Sequence, residues 1–205
     1  MKDLDENILK DRTKIIAVSK TFTMDKILPL IEHGHIDFGE NKVQEAIEKW
    51  TDIKKKYQPI KLHMIGKLQT NKVKFAINLF DYIHSLDNFK LAKKISDEQK
   101  KNNKRPKIFI QINIGNESQK NGINSNELNE FYDNCVNDLN LNIIGIMCLP
   151  PNNNKEDFYF KKMSELIQKI SVNELSMGMS NDYLEAYKTG ATFLRIGSSI
   201  FGNRN

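Results

Sequence analysis

The chain has 205 residues, 39% hydrophobic and 28% charged, with a formal net charge of +5. That length supports one sizeable core, residues 1–205 as a single domain, and the composition excludes a disordered chain. No apolar run reaches the length of a membrane span, and the charged opening "MKDLDENILKDR" lacks the apolar block of a signal peptide. A cytoplasmic protein with no membrane partner is expected.

The first element in chain order is "KIIAVSK", Lys14–Lys20, an apolar run closed by a lysine. It is the first of eight short runs rich in Ile, Val, Phe and Leu. The others are Ile36–Gly39, Lys61–Gly66, Tyr82–Leu86, Lys107–Ile114, Ile143–Leu149, Glu174–Met177 and Phe193–Gly197. They alternate poorly in polarity, as strands covered on both faces do.

Amphipathic stretches lie between these runs. "MDKILPLIEHG" is expected to be capped by Thr23 and stopped at Gly34, with Pro29 tolerable only in its first turns. "SDEQKKNNK", "NELNEFYDNCVNDL", "KEDFYFKKMSELIQKI" and "NDYLEAYKTG" also read as helices, the last stopping at Gly190. Strand–helix alternation from end to end predicts a single (β/α)8 barrel of the TIM class. The alternative, a doubly wound open sheet, lacks its GxGxxG turn after the first strand.

The lysines are mixed with acids, as in "KLAKKISDEQKKNNKR", and read as solvated helix faces; no nucleic-acid partner is expected. Cys135 and Cys148 have neither CxxC nor metal spacing, so they read as small apolar residues and no metal is expected.

Barrel enzymes gather function at the C-terminal ends of their strands. The ends here carry Lys20, "FGEN", "HMIGKLQTNK", "HSLD", Asn113 with "GNESQKNG", "IMCLPP", "SMGMSND" and "RIGSSIFG". The last two loops supply glycines, hydroxyls and backbone amides after strands seven and eight, where barrels bind phosphate. A lysine among apolar neighbours has its ammonium form disfavoured, so its amine can attack a carbonyl. A phosphate-bearing aldehyde with a lysine partner points to pyridoxal 5′-phosphate. Arg195, beside the phosphate loop, would reach its ring nitrogen.

"AVSKTF", "FGENKVQEA", "HMIGKLQTNK", "HSLDN", "NIGNESQKNGI", "GIMCLP", "LSMGMSNDYLEA" and "RIGSSIFGNR" closely resemble the pyridoxal phosphate homeostasis protein family. The resemblance runs in order from about Ile15 to Arg204. It implies a barrel like the first domain of alanine racemase, without that enzyme's second β domain, binding pyridoxal 5′-phosphate. It implies Lys20 as the Schiff-base lysine and Asn41 beside the cofactor. His63, Ile65 and Gly66 would lie beneath it, with Ser85 and Met147 in the pocket wall. Met179, Ser180, Gly197 and Ser198 would cradle the phosphate, and Arg195 would face the ring nitrogen.

Three departures from the family pattern stand out. Some fourteen residues precede the first strand where the family usually has one more helix, so less cover is expected there. Phe22 stands where many members carry a second lysine, and "LHMIG" replaces a "WHFIG"-like run. Lys120 matches a family lysine and is a candidate second site, although an exposed loop lysine is the plainer expectation.

Arginine donates to a ring nitrogen without protonating it, which leaves a weak electron sink. The chain ends at Asn205, so no second domain is expected to supply a general base. The expected function is therefore a monomeric, non-catalytic carrier in intracellular vitamin B6 homeostasis, handing cofactor to pyridoxal phosphate-dependent apo-enzymes. The alternative is a weak amino-acid racemase or lyase with Tyr183 or His63 as base.

Overall fold

The structure is a computed structural model and describes residues 13–202 apart from Gln58. The expectation of thin cover before the first strand falls on residues 1–12, and "NR" of the last motif on residues 203–205; both lie outside the described residues.

Eight parallel strands close into a barrel in chain order, β1-β2-β3-β4-β5-β6-β7-β8. They are β1 Lys14–Val18, β2 Asp37–Glu40, β3 Lys61–Met64, β4 Tyr82–Leu86, β5 Lys107–Ile112, β6 Ile143–Cys148, β7 Glu174–Met179 and β8 Phe193–Ile196. Closure is made by β1 on β8, with Lys14 opposite Phe193 and Ile16 opposite Arg195. All eight apolar runs are strands, and the open-sheet alternative falls. Lys20 and Gly66 lie just past their strands in the connecting loops, not within them.

A helix follows each strand: α1 Met24–Glu32, α2 Val43–Lys56, α3 Val73–Leu79, α4 Phe89–Asn102, α5 Leu128–Asp133, α6 Glu156–Ile167, α7 Tyr183–Lys188 and α8 Ser198–Phe201. Thr23 stands at the N-cap of α1, without a side-chain cap bond. Gly34, in the left-handed region at φ 91°, ends the same helix as expected. Pro29 sits inside α1 rather than in its first turn. A nine-residue helix held by its buried Ile27 and Ile31 accommodates the lost bond. The segment "NELNEFYDNCVNDL" is irregular, with α5 running into five residues of π-helix at Asn134–Asp138.

The main core lies between sheet and helices and includes Phe38, Trp50, Leu62, Ile110, Phe160 and Leu194. A second apolar cluster fills the barrel interior: Ile16, Tyr82, Phe109, Met147 and Phe193. Tyr82 stacks on His63 with centroids 4.2 Å apart, and Phe109 on His84 at 4.3 Å. The lower barrel is thus packed solid, so a ligand must sit above it, at the C-terminal mouth. Both cysteines are free and buried, and burial pushes each thiol up to about 12. Among the described residues no helix is long and apolar enough to cross a membrane, and no His, Cys, Asp and Glu group could hold a metal.

Candidate functional site

An open cleft of about 1420 Å³ occupies the C-terminal mouth. Lys20, Asn41, Ile65, Gly66, Met179, Ser180, Arg195, Gly197 and Ser198 line it together. They come from the ends of five strands, β1, β2, β3, β7 and β8, that are distant in sequence and meet only because the barrel closes.

Lys20 projects from the turn after β1, and both its neighbours are pinned. Thr21 has φ 67°, a left-handed conformation that a β-branched residue avoids. Such strain costs about 1–3 kcal/mol and persists only where the surroundings impose it. The Thr21 amide donates to Glu45 Oε1 at 2.7 Å. Lys49 Nζ donates to the Ser19 carbonyl at 3.0 Å, to Glu40 Oε1 at 2.9 Å and to Glu45 Oε1 at 3.1 Å. Glu40 Oε1 also accepts from Ser19 Oγ at 2.8 Å and from Trp50 Nε1 at 2.9 Å. Burial pushes the Glu45 carboxyl up, but the Thr21 amide and Lys49 outweigh it and hold it below the ordinary value. This clamp behind the lysine was not singled out from the sequence. Its legible trace is Glu45 and Lys49 at i,i+4 spacing in "FGENKVQEAIEKW".

Across the cleft, Ser180 Oγ accepts from the backbone amides of Gly197 at 3.2 Å and Ser199 at 3.5 Å. The loops after β7 and β8 are therefore tied together at Ser180 Oγ, on the wall of the cleft. A bulge makes the first loop possible: β7 shifts register on β8 between Ser176 and Met179, and Gly178 there has φ 86°. A Cβ on Gly178 would stand 2.6 Å from the Ala186 Cβ. At Gly197 a Cβ would meet nothing closer than the Val18 Cβ at 3.6 Å, so its bareness serves the cleft and not the packing. Asp182, also in the lining, accepts from the Met179 amide, and burial raises its carboxyl above the ordinary value.

Arg195 is 4% exposed. Its Nη1 donates to Ser176 Oγ at 2.7 Å and its Nη2 to the Cys148 carbonyl at 2.8 Å. Burial lowers its proton affinity, opposed through space by Cys148 and Asp182. Gly66 lets two loops close up: a Cβ there would lie 2.4 Å from the Asn41 carbonyl oxygen.

Three expected residues do not line the cleft. His63 is fully buried one pleat below Ile65, bonded to Asp37 Oδ1 at 2.9 Å and to His84 at 3.0 Å. Met147 belongs to the apolar cluster inside the barrel. Ser85 is buried in β4, and its hydroxyl has no partner among the described residues. Strand ends locate the mouth, but depth along a strand depends on barrel stagger, which the sequence does not display. Gln111 joins the lining unannounced, while Asn121, Pro150 and Pro151 reach it from the strand-end loops "GNESQKNG" and "IMCLPP" without having been singled out individually. Lys120 lines the cleft as well and is not a free loop lysine, since it pairs with Glu117 at 2.6 Å and donates to the Pro150 carbonyl at 3.0 Å. Neither candidate base is in the lining; Tyr183 packs against the main core.

The family model described as "Alanine racemase, N-terminal domain" matches residues 1–205. A pyridoxal phosphate homeostasis protein of Haemophilus influenzae is 37% identical over 212 residues, covering 98% of this chain and 89% of that one. The solved structures of PipY from Synechococcus elongatus PCC7942 superpose closely. The form without PLP has a TM-score of 0.87 at 30% identity, and the form with PLP bound 0.85 at 29%; each match covers 98% of this chain and 95% of PipY. Alanine racemase of Clostridium difficile 630 shares the fold, with a TM-score of 0.75 at 15% identity, and this chain spans 55% of its length. The chain belongs to the alanine racemase N-terminal domain family and, within it, to the pyridoxal phosphate homeostasis proteins.

Proposed function

We propose that the chain binds pyridoxal 5′-phosphate at the C-terminal mouth and acts as a non-catalytic carrier in cytoplasmic vitamin B6 homeostasis. One observation carries the reading: Lys20, Ser180, Gly197, Ser198 and Arg195 line a single cleft, and the Gly197 and Ser199 amides meet at Ser180 Oγ. The donor set suits the cofactor. Converging amides and a hydroxyl suit a phosphate, and Gly197 leaves the space a Cβ would fill. Lys20 is the amine partner for the aldehyde, presented by a strained and clamped turn. Arg195 offers only donors to the ring nitrogen. The PLP-bound PipY and the family name support the same assignment.

When bound, pyridoxal phosphate supplies an electrophilic aldehyde and an electron-accepting ring. This chain's residues hold that group more than they exploit it. An arginine at the ring nitrogen limits the ring as a sink, and both bases considered from the sequence lie outside the cleft lining. The expected behaviour is a monomer that stores the cofactor and hands it to dependent apo-enzymes.

Borohydride reduction of protein incubated with pyridoxal 5′-phosphate, followed by peptide mass mapping, tests the site. The label is expected on Lys20 and absent from Lys20→Ala; a label elsewhere, or none, overturns the assignment. Incubation of the loaded protein with alanine in deuterium oxide tests the carrier role. No α-hydrogen exchange above that of free cofactor is expected, and clear exchange would favour a racemase or lyase.

A further inference from the structure

Below the cleft floor a row of buried polar groups crosses the barrel interior. Arg195 Nη1 lies 2.7 Å from Ser176 Oγ, and Ser176 Oγ lies 2.9 Å from His84 Nδ1. His84 Nε2 is 3.0 Å from His63 Nδ1, and His63 Nε2 is 2.9 Å from Asp37 Oδ1. The row joins β8, β7, β4, β3 and β2, and no member is more than 8% exposed.

The ends of this row set its direction. Arginine can only donate, so Ser176 Oγ accepts from Arg195. The Ser176 hydroxyl proton must then go to an acceptor, and His84 Nδ1 is in reach. That leaves the His84 proton on Nε2, donated to His63 Nδ1. His63 in turn carries its proton on Nε2 and donates it to Asp37, an acceptor when ionised. Every proton has one receiver, and both imidazoles are neutral. The reverse polarity would need a protonated Asp37 and would leave the Ser176 hydroxyl proton without a place in the row.

We propose that Asp37, His63, His84 and Ser176 are positioning residues for Arg195, forming a one-way hydrogen-bond chain that fixes the guanidinium at the cleft floor and links it to the Asp37 carboxylate. Chains of this kind polarise each successive bond. Stacking of His63 on Tyr82 and His84 on Phe109, at interplanar angles of 8° and 19°, fixes the plane of each ring, and the hydrogen bonds at both nitrogens fix which way each ring faces. Burial lowers the proton affinity of both histidines, in keeping with neutral rings. It also pushes Asp37 upward, but the His63 bond and neighbouring charges keep that carboxyl below its ordinary value. Arg195 meets a hydroxyl and a carbonyl directly, and Asp182 acts on it through space. The chain is thus its buried route to a carboxylate.

The effect on cofactor binding rests on the proposed function; the tautomer assignment does not. Long-range 1H–15N spectra of the unliganded full chain at neutral pH test the latter. With only four histidines, His33→Gln and His35→Gln identify the remaining pair. His63 and His84 are each expected with a proton on Nε2 and a bare Nδ1. An imidazolium at His63, or a proton on Nδ1 of either ring, overturns the chain.

Pyridoxal 5′-phosphate titration then compares Ser176→Ala with Ser176→Thr. Loss of the hydroxyl is expected to weaken binding about tenfold, the scale of one hydrogen bond to a charged group, and threonine is expected to restore it. A folded Ser176→Ala that binds like the wild type overturns the positioning role. A wild type that binds no pyridoxal phosphate sinks the functional reading, while the spectra still decide the chain.

Discussion

Lys49→Met is the sharpest test of how Lys20 is presented. The Lys49 side chain is 10% exposed and its partner Glu40 is fully buried. Removing the ammonium leaves the Glu40 carboxylate with two neutral donors, Ser19 and Trp50. It also frees the Ser19 carbonyl and one tie on Glu45, which holds the strained Thr21. Breaking a buried pair from one side costs about 3–5 kcal/mol. With a urea slope of about 2–3 kcal/mol per M, the unfolding midpoint should fall by roughly 1–2.5 M. Glu40→Gln/Lys49→Met discards the unpaired charge but keeps an oxygen for Ser19 and Trp50, and should recover at least half of that loss. Urea unfolding followed by circular dichroism measures both. A loss below about 1 kcal/mol for Lys49→Met, the size of a surface pair, would refute the idea that the clamp holds the turn.

Gly197→Ala should leave thermal stability nearly unchanged, because the added Cβ makes only ordinary contacts. It should still weaken pyridoxal 5′-phosphate binding, since that methyl enters the cleft; equal binding would show that the cradle lies elsewhere. Burial lowers His63 and His84 from 6.5, so the unfolded chain takes up protons first as pH falls. Stability should then be full above 6.5 and decline below it, with a slope of at most about 1.4 kcal/mol per pH unit for each histidine. A flat urea midpoint from pH 7 to 5 would contradict this. Both thiols, pushed up to about 12 by burial, should resist a thiol reagent at pH 8 until the protein unfolds. Rapid labelling of native Cys148 would mean that the wall beside Arg195 opens.

The barrel was legible because its signal is local. Each apolar run such as "KIFIQI" or "IIGIMC" must bury both faces, and regular alternation with helices leaves few ways to arrange eight of them. The chemistry at the strand ends was legible from its combination: glycines and hydroxyls are ordinary in any single turn, but two such loops after strands seven and eight with Lys20 after strand one point to one site. The barrel and the location of its mouth could therefore be read from the order of residues alone. The tertiary structure alone decided depth and partnership. Two positions of the chain separate Ile65, just past β3 and in the cleft, from His63 within β3, sealed beneath it. Glu40, Glu45 and Lys49 look like surface charges in the sequence and become a clamp around the buried Glu40 only when α2 folds back over β1 and β2. Asp37, His63, His84, Ser176 and Arg195 are spread over 159 positions of the chain, and barrel closure brings them to hydrogen-bond distance. Side-chain periodicity along one strand is a property of the local backbone, whereas stagger between strands belongs to the closed sheet as a whole.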